Sequence, residues 1–138
     1  MADAGAPVTP LLSDLRVLEL GHFIAAPFAT RLLADLGADV IKVEHPGTGD
    51  PVRKWGKQVE GGSIWWSLHG RNKRCVTVDP KTPEGRELVL KLVRECDVVV
   101  ENYRPGRLER LGLGPDVLAE QRAGLVIVRI SGYGQTGP

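Results

Sequence analysis

Residues 97–104 read Asp-Val-Val-Val-Glu-Asn-Tyr-Arg, and this stretch decides the fold. Three consecutive valines leave no polar face, so a strand over Asp97–Glu101 has to be covered on both sides, as in the interior of a parallel sheet. Working outward, runs of five or six residues of the same character recur at Arg16–Leu20, Asp39–Glu44, Arg74–Asp79 and Leu125–Ile130. Their length and Val/Ile/Leu content, bounded by Gly, Pro and Asp, predict strands rather than helices.

Helical patterns separate these runs. Pro27 can open a first turn, Phe28, Leu32, Leu33 and Leu36 form an apolar stripe, and Gly37 follows as a stop. Thr82-Pro83-Glu84-Gly85 supplies an N-cap, a first-turn proline and an acidic first turn ahead of Leu88, Leu92 and Val93, with Lys91 and Arg94 at the cationic end. Gly114-Pro115-Asp116 opens a third helix through Val117, Leu118 and Arg122, closed by Gly124. Strand and helix in alternation predict an α/β fold, a Rossmann-like doubly wound parallel sheet of about five strands. Ligands of such sheets bind beyond the carboxyl ends of the strands, where strand order reverses. The longest loop, from His45 to about Asn72, holds Trp55, Trp65 and Trp66 and is expected to be packed.

The chain has 138 residues, 18 Lys and Arg against 17 Asp and Glu, and a net charge of +1. This is one domain beginning near Leu11, after a flexible leader over Met1–Pro10. So even a balance offers no broad cationic face for nucleic acid, and any anion site must be local. No apolar run is long enough to span a bilayer and no signal peptide is evident, so a soluble, cytoplasmic protein without membrane contact is expected. Cys75 and Cys96 fit no disulfide or metal spacing and read as buried free thiols.

Several motifs bear on chemistry. Gly132-Tyr133-Gly134-Gln135-Thr136-Gly137 satisfies G-x-G-x-x-G, but it follows the fifth strand and opens no amphipathic helix, so a tight turn is expected. Arg71-Asn72-Lys73-Arg74 reads either as a solvated face or as an anion clamp. Glu101–Gly106 leaves the buried strand with an amide, an aromatic ring and a guanidinium in succession, suited to a heterocycle and a phosphate; a polar turn is the alternative. The loop His45–Asp50 carries glycines that allow close backbone approach. Asp50 reads as an exposed carboxylate, a turn cap or else a nucleophile. His22, His45 and His69 lie too far apart in sequence for a metal pair, and no metal is expected.

Three segments together resemble one family. Leu12–Asp50 (LSDLRVLELGHFIAAPFATRLLADLGADVIKVEHPGTGD), Arg71–Gly114 (RNKRCVTVDPKTPEGRELVLKLVRECDVVVENYRPGRLERLGLG) and Ser131–Pro138 (SGYGQTGP) are similar to the N-terminal part of the family III CoA-transferases, the CaiB/BaiF family. The α-methylacyl-CoA racemases share similar strings. The resemblance implies coenzyme A or acyl-CoA bound at the strand ends, a carboxylic acid as second substrate, and an interlocked homodimer of the intact protein. It places Asn102 and Tyr103 beside the CoA nucleotide, Arg110 near its phosphates, Lys81 near the adenine and Val78 packed on the same ring. His22 and Ala25 fall at the pantetheine and thioester end. At two further binding positions the chain departs from the formyl-CoA transferases, with His45 in place of an arginine and Ser131 in place of a lysine. Ile24 replaces a glutamine, and together these changes argue against a formyl/oxalate substrate.

The family's nucleophilic aspartate is expected beyond Pro138, as are the racemase His and Asp. No catalytic residue is therefore expected within residues 11–138, which read as the N-terminal part of a larger CoA-binding domain, inactive by itself. The implied reaction moves CoA between an acyl-CoA thioester and a carboxylic acid through an aspartyl-CoA intermediate. An acyl-CoA racemase and a non-catalytic nucleotide-binding module are the alternatives.

Overall fold

The computed structural model describes residues 9–137. Along the chain run β1 (Arg16–Glu19), α1 (Ala25–Asp35), β2 (Asp39–Glu44), a 3-10 turn (Pro51–Lys54), β3 (Gln58–Val59), β4 (Gly62–Ser63), α2 (Ile64–His69) and β5 (Lys73–Thr77). They continue as α3 (Pro83–Arg94), β6 (Val98–Glu101), α4 (Arg107–Arg110), α5 (Pro115–Gln121) and β7 (Val126–Arg129). One five-stranded sheet has the order β5-β2-β1-β6-β7 with every neighbouring pair parallel, while β3 and β4 form a separate antiparallel hairpin. The chain steps outward from β1 to β5 and then returns to β6 on the other side of β1. Strand order therefore reverses between β1 and β6, which makes the carboxyl ends of these two strands the ligand edge.

The valine run behaves as its composition requires. Val99 sits opposite Leu18 and Ile127 and is buried in the cluster under α3, α4 and α5, whereas Val100 is buried on the α1 face. The first face packs Leu18 and Val99 on Val89 and Val93 of α3, Leu108 of α4 and Leu118 of α5. The second packs Val17, Val40 and Val100 on Ala26 and Ala34 of α1. α3 begins as its residues predict: the Thr82 hydroxyl accepts from the Gly85 N–H at 3.0 Å, with Pro83 and Glu84 in the first turn. Of the leader expected over residues 1–10, residues 1–8 lie outside the described residues, and Pro10 packs against Gly37.

The structure corrects several expectations. Three of the four stripe residues of α1 face outward: Phe28, Leu32 and Leu36 are 44%, 44% and 47% exposed, Leu33 is half-buried against the inner cluster, and the buried residues are Ala26, Pro27, Thr30 and Ala34. The reason lies beneath the helix. Glu19 is fully buried there, its Oε2 bonded by the Lys73 Nζ at 2.7 Å and by the Thr30 hydroxyl at 2.6 Å. Small residues let α1 approach this charged layer, and the large apolar ones turn away from it.

The basic cluster is a solvated face at Arg71, Asn72 and Arg74, and Lys73 departs from it. The Lys73 side chain is buried in that ion pair, and Arg71 and Arg74, on the surface, donate to Asp35 and Asp39. Cys75 is exposed on the edge strand β5, while Cys96 is buried as expected. The segment from His45 to Asn72 contains the 3-10 turn, the hairpin and α2 rather than one long loop. Its tryptophans pack as expected: Trp55 lies 4.9 Å from Trp65 and 4.8 Å from Phe23, and Arg53 sits 3.5 Å over the Trp66 ring.

Candidate functional site

A cleft of about 590 Å³ opens at the reversal point. β1 delivers Gly21 and His22 to it, and β6 delivers Asn102 and Tyr103. The two strand ends are stitched together. Asn102 Oδ1 accepts from the His22 N–H at 2.9 Å, and its Nδ2 donates to the His22 carbonyl at 2.9 Å. Position 21 has to be glycine for this, because a Cβ there would lie 2.2 Å from the Ala26 Cβ and 2.6 Å from Asn102 Oδ1. The next residue, Phe23, has φ 69°, a left-handed conformation unusual for an aromatic residue.

Asp50 differs from the exposed carboxylate read from the sequence. It is 2% exposed, accepts from the Phe23 N–H at 3.1 Å and the Val52 N–H at 2.9 Å, and pairs with Lys42 Nζ at 2.7 Å. It caps the 3-10 turn, as loop aspartates commonly do, but from inside the protein. Glu101 anchors the other strand: it is fully buried, accepts from the Tyr103 N–H at 2.6 Å and is held by Arg129 Nε at 2.7 Å.

Burial pushes the Tyr103 phenol above its ordinary pKa despite Lys42 and Arg107 nearby, so its ring is neutral. The His22 ring lies 5.4 Å from the Tyr103 ring, tilted 41°. Partial desolvation, aided by Lys42 and Arg107 and opposed by Asp50, holds the His22 imidazole below its ordinary pKa. His22 is therefore predominantly neutral at pH 7.

His22, His45, Val78, Lys81, Asn102 and Tyr103 all line the cleft. Val78 is nearly buried in its wall, and the His45 Nε2 stands 3.7 Å from Asp79 Oδ2. Arg110 lines an adjoining recess of about 230 Å³, together with Arg86; Pro80, Lys81 and Leu111 line both spaces and join them. Ala25 and Ser131 line neither. Ala25 is the first residue of α1, and the Ser131 hydroxyl donates to the Gly134 carbonyl at 2.7 Å inside its own turn. The G-x-G-x-x-G string forms that turn and no helix through residue 137.

The residues by themselves do not point to Arg107, Arg86 or Lys42, and they mark Asp50 as a turn cap or a nucleophile but not as the partner of Lys42. Arg107 opens α4, a four-residue helix whose only local signal is Pro105-Gly106 ahead of a buried Leu108. Lys42 sits in a strand pattern where an alternating lysine ordinarily faces solvent, and nothing local announces its partners.

The charge distribution suits an elongated anion. Lys81, Arg104 and Arg107 line the cleft and Arg86 and Arg110 the recess, so cations converge although the chain is nearly neutral. Tyr103 and Val78 add an aromatic and an aliphatic surface. The carboxylates lining the cleft among the described residues are all engaged. Glu44 is held by Arg53 at 2.7 Å, Asp50 by Lys42, and Asp79 by the Lys81 N–H at 3.0 Å. The site is built to bind and orient, and its acids are occupied with structure. Among the described residues, no helix is long and apolar enough to cross a membrane.

Comparison with known proteins agrees with this fold. The chain is 55% identical over 128 residues to a succinyl-CoA–D-citramalate CoA-transferase of Chloroflexus aurantiacus, covering 92% of this chain and 32% of that protein. It is 44% identical over 128 residues to the succinyl-CoA:glutarate CoA-transferase of Homo sapiens, covering 92% of this chain and 29% of that one. The crystal structure of a CaiB/BaiF family protein from Brucella suis superposes with a TM-score of 0.86 at 44% identity, over 93% of this chain and 35% of that one. The chain thus spans about a third of the length of the relatives it matches. The model of CoA-transferase family III matches residues 12–138, essentially the whole described fold, and the chain belongs to that family.

Proposed function

We propose that this chain forms the CoA-binding portion of an enzyme that moves CoA between an acyl-CoA thioester and a carboxylic acid. The observation that carries the reading is the convergence of Lys81, Arg86, Arg104, Arg107 and Arg110 on the cleft and recess beyond β1 and β6. In this reading Arg110 and Lys81 hold the phosphates and the nucleotide, Val78 and Tyr103 flank the adenine, and His22 stands toward the pantetheine. His45, Ala25 and Ser131 keep the lesser roles that the resemblance implies. Family membership, and the CoA-transferases among its relatives, favour a transferase over a racemase or a nucleotide module. Succinyl-CoA, the CoA donor in both of those names, is the first thioester to test.

The reaction proceeds by a carboxylate attacking the donor thioester to give a mixed anhydride and CoA thiolate. The thiolate attacks the aspartyl carbonyl of the anhydride, which forms an aspartyl-CoA thioester and expels the donor acyl group as its carboxylate; the acceptor carboxylate then attacks that thioester and leaves as acyl-CoA by the reverse steps, freeing the aspartate. The carboxylates lining the cleft already accept structural hydrogen bonds, and we assign this nucleophile to none of them. The contribution of this chain is remote binding energy, which drives the acyl end into register. A cytoplasmic homodimer is the matching assembly.

Calorimetric titration with CoA, NAD and ATP tests the reading. CoA is expected to bind best, and Lys81→Ala or Arg110→Ala is expected to raise its Kd roughly 10- to 100-fold, the scale of a lost charge-assisted bond. Preference for NAD or ATP, or no loss in either variant, overturns it.

A further inference from the structure

We propose that Asn102, Asp50 and Lys42 are positioning residues that hold the Gly21–Phe23 turn at the mouth of the cleft without touching the ligand; the ligand is CoA on the reading above. Each of the three turn residues has its own tether. The Gly21 carbonyl accepts from Lys42 Nζ at 3.0 Å. His22 is clasped through both its N–H and its carbonyl by the Asn102 amide. The Phe23 N–H is held by the Asp50 carboxylate.

The tethering groups have little left to offer a ligand. Lys42 spends its three N–H bonds on Glu19 Oε1 at 2.6 Å, Asp50 Oδ2 at 2.7 Å and the Gly21 carbonyl, and is 1% exposed. Asp50 receives two backbone N–H groups and that ammonium. The Asn102 amide commits one N–H and one lone pair to His22, so its orientation is fixed by the clasp and only its second N–H and lone pair stay uncommitted. This narrows the role expected from the resemblance, in which Asn102 stands beside the nucleotide.

The turn needs such support. Phe23 sits in the left-handed region, which disfavours a residue with a Cβ and persists when surrounding bonds over-determine it. Its tethers come from β2, from the loop that follows β2, and from the end of β6, at separations of 21, 27 and 80 residues. Two strands, β2 and β6, and the loop after β2 thereby fix the turn that follows β1 and carries the His22 ring to 5.4 Å from Tyr103.

The test uses two isosteric variants of the full chain. Asn102→Asp keeps the acceptor for the His22 N–H and loses the donor to its carbonyl. Asp50→Asn keeps one acceptor oxygen, so its NH2 group must face either the Lys42 ammonium or the Val52 and Phe23 N–H groups. Each is titrated with CoA and with adenosine 3′,5′-bisphosphate, which carries the nucleotide end but no pantetheine. Amide hydrogen exchange is followed at His22 and Phe23. The expected result is a five- to tenfold weaker Kd for CoA, the scale of one lost hydrogen bond. Bisphosphate affinity stays within about twofold, inside the noise of a neutral contact, and exchange at the turn speeds up while β6 stays protected.

Equal weakening of both ligands would mean direct nucleotide contact or general damage, and unchanged exchange at His22 in Asn102→Asp would mean no clasp; either overturns the proposal. If the unaltered chain binds neither ligand, the CoA reading fails, while the exchange arm still decides whether these residues hold the turn. Asn102 is only half-buried, so its variant decides the matter even if Asp50→Asn does not fold.

Discussion

On the face covered by α3, α4 and α5, the sheet buries Leu18 and Val99 against Val89, Val93, Leu108 and Leu118. On the face covered by α1, the same strands bury Glu19, Lys42 and Lys73 among small residues. The apolar face gains free energy roughly in proportion to the area removed from water. The charged face works differently: each ion was costly to bury, and the arrangement holds only while every partner is present. One face supplies stability that tolerates adjustment. The other supplies fixed positions, and it ends at the cleft, where Lys42 and Asp50 meet the turn that carries His22.

The largest expected effect breaks the charged face at its centre. Glu19→Ala leaves Lys42 and Lys73 short of a buried counter-charge and is expected to cost about 3–5 kcal/mol in urea denaturation. The double variant Glu19→Met/Lys73→Met removes charge in balance and should recover most of that loss. If the double variant is no better than the single one, uncompensated charge is not what distinguishes the two faces.

The next effect compares leucines on the two faces. Leu118→Ala empties a fully buried site and is expected to cost about 2–5 kcal/mol, whereas Leu32→Ala on the outward side of α1 should cost under about 1 kcal/mol. Equal losses would mean that the α1 stripe is as buried in solution as the core beneath α5.

The smallest effect is a pH dependence on the charged side. Burial alone would raise the Glu44 carboxyl, but the bonds from Arg53, the Asp50 N–H and Cys75 outweigh it and bring its pKa from 4.5 to about 2. A depressed carboxylate contributes stability that is complete above its unfolded pKa and lost on acidification. The contribution is thus present above about pH 4.5 and disappears as pH falls through about 2. Thermal melts from pH 7 to pH 2 should therefore fall more steeply for the unaltered chain than for Glu44→Gln. Parallel curves would show that Glu44 titrates alike in the folded and unfolded chain.

The strands were legible because their signal is local. Asp39–Glu44 forms β2 over the expected residues, and the other four strands differ from expectation by one or two residues at an end. The cap of α3 was legible for the same reason, since Thr82, Pro83 and Gly85 act within a single turn. The neighbourhood of the cleft followed from the fold class, because a reversal in strand order selects the same edge in any doubly wound sheet. Asp50 caps its turn as its residue type suggests, but its burial is not legible, because a glycine-rich loop shows no sign of the lysine waiting beneath it. The basic run at 71–74 is a solvated face at Arg71, Asn72 and Arg74, as one of its two readings has it; the burial of Lys73 is not legible because its partner Glu19 lies 54 residues away.

By itself, then, the order of residues determined the five strands of the sheet and helices α1, α3 and α5, that the sheet is parallel, and which loops meet at its ligand edge. Those properties depend on hydrophobic period, caps and turns, all set by residues close in sequence. Only the tertiary structure decided which side of α1 faces inward, which ions are buried, and which groups hold the turn at His22. An amphipathic pattern says that a helix has two faces, but the partner chooses between them, and here that partner is a buried carboxylate joined to lysines 23 and 54 residues away.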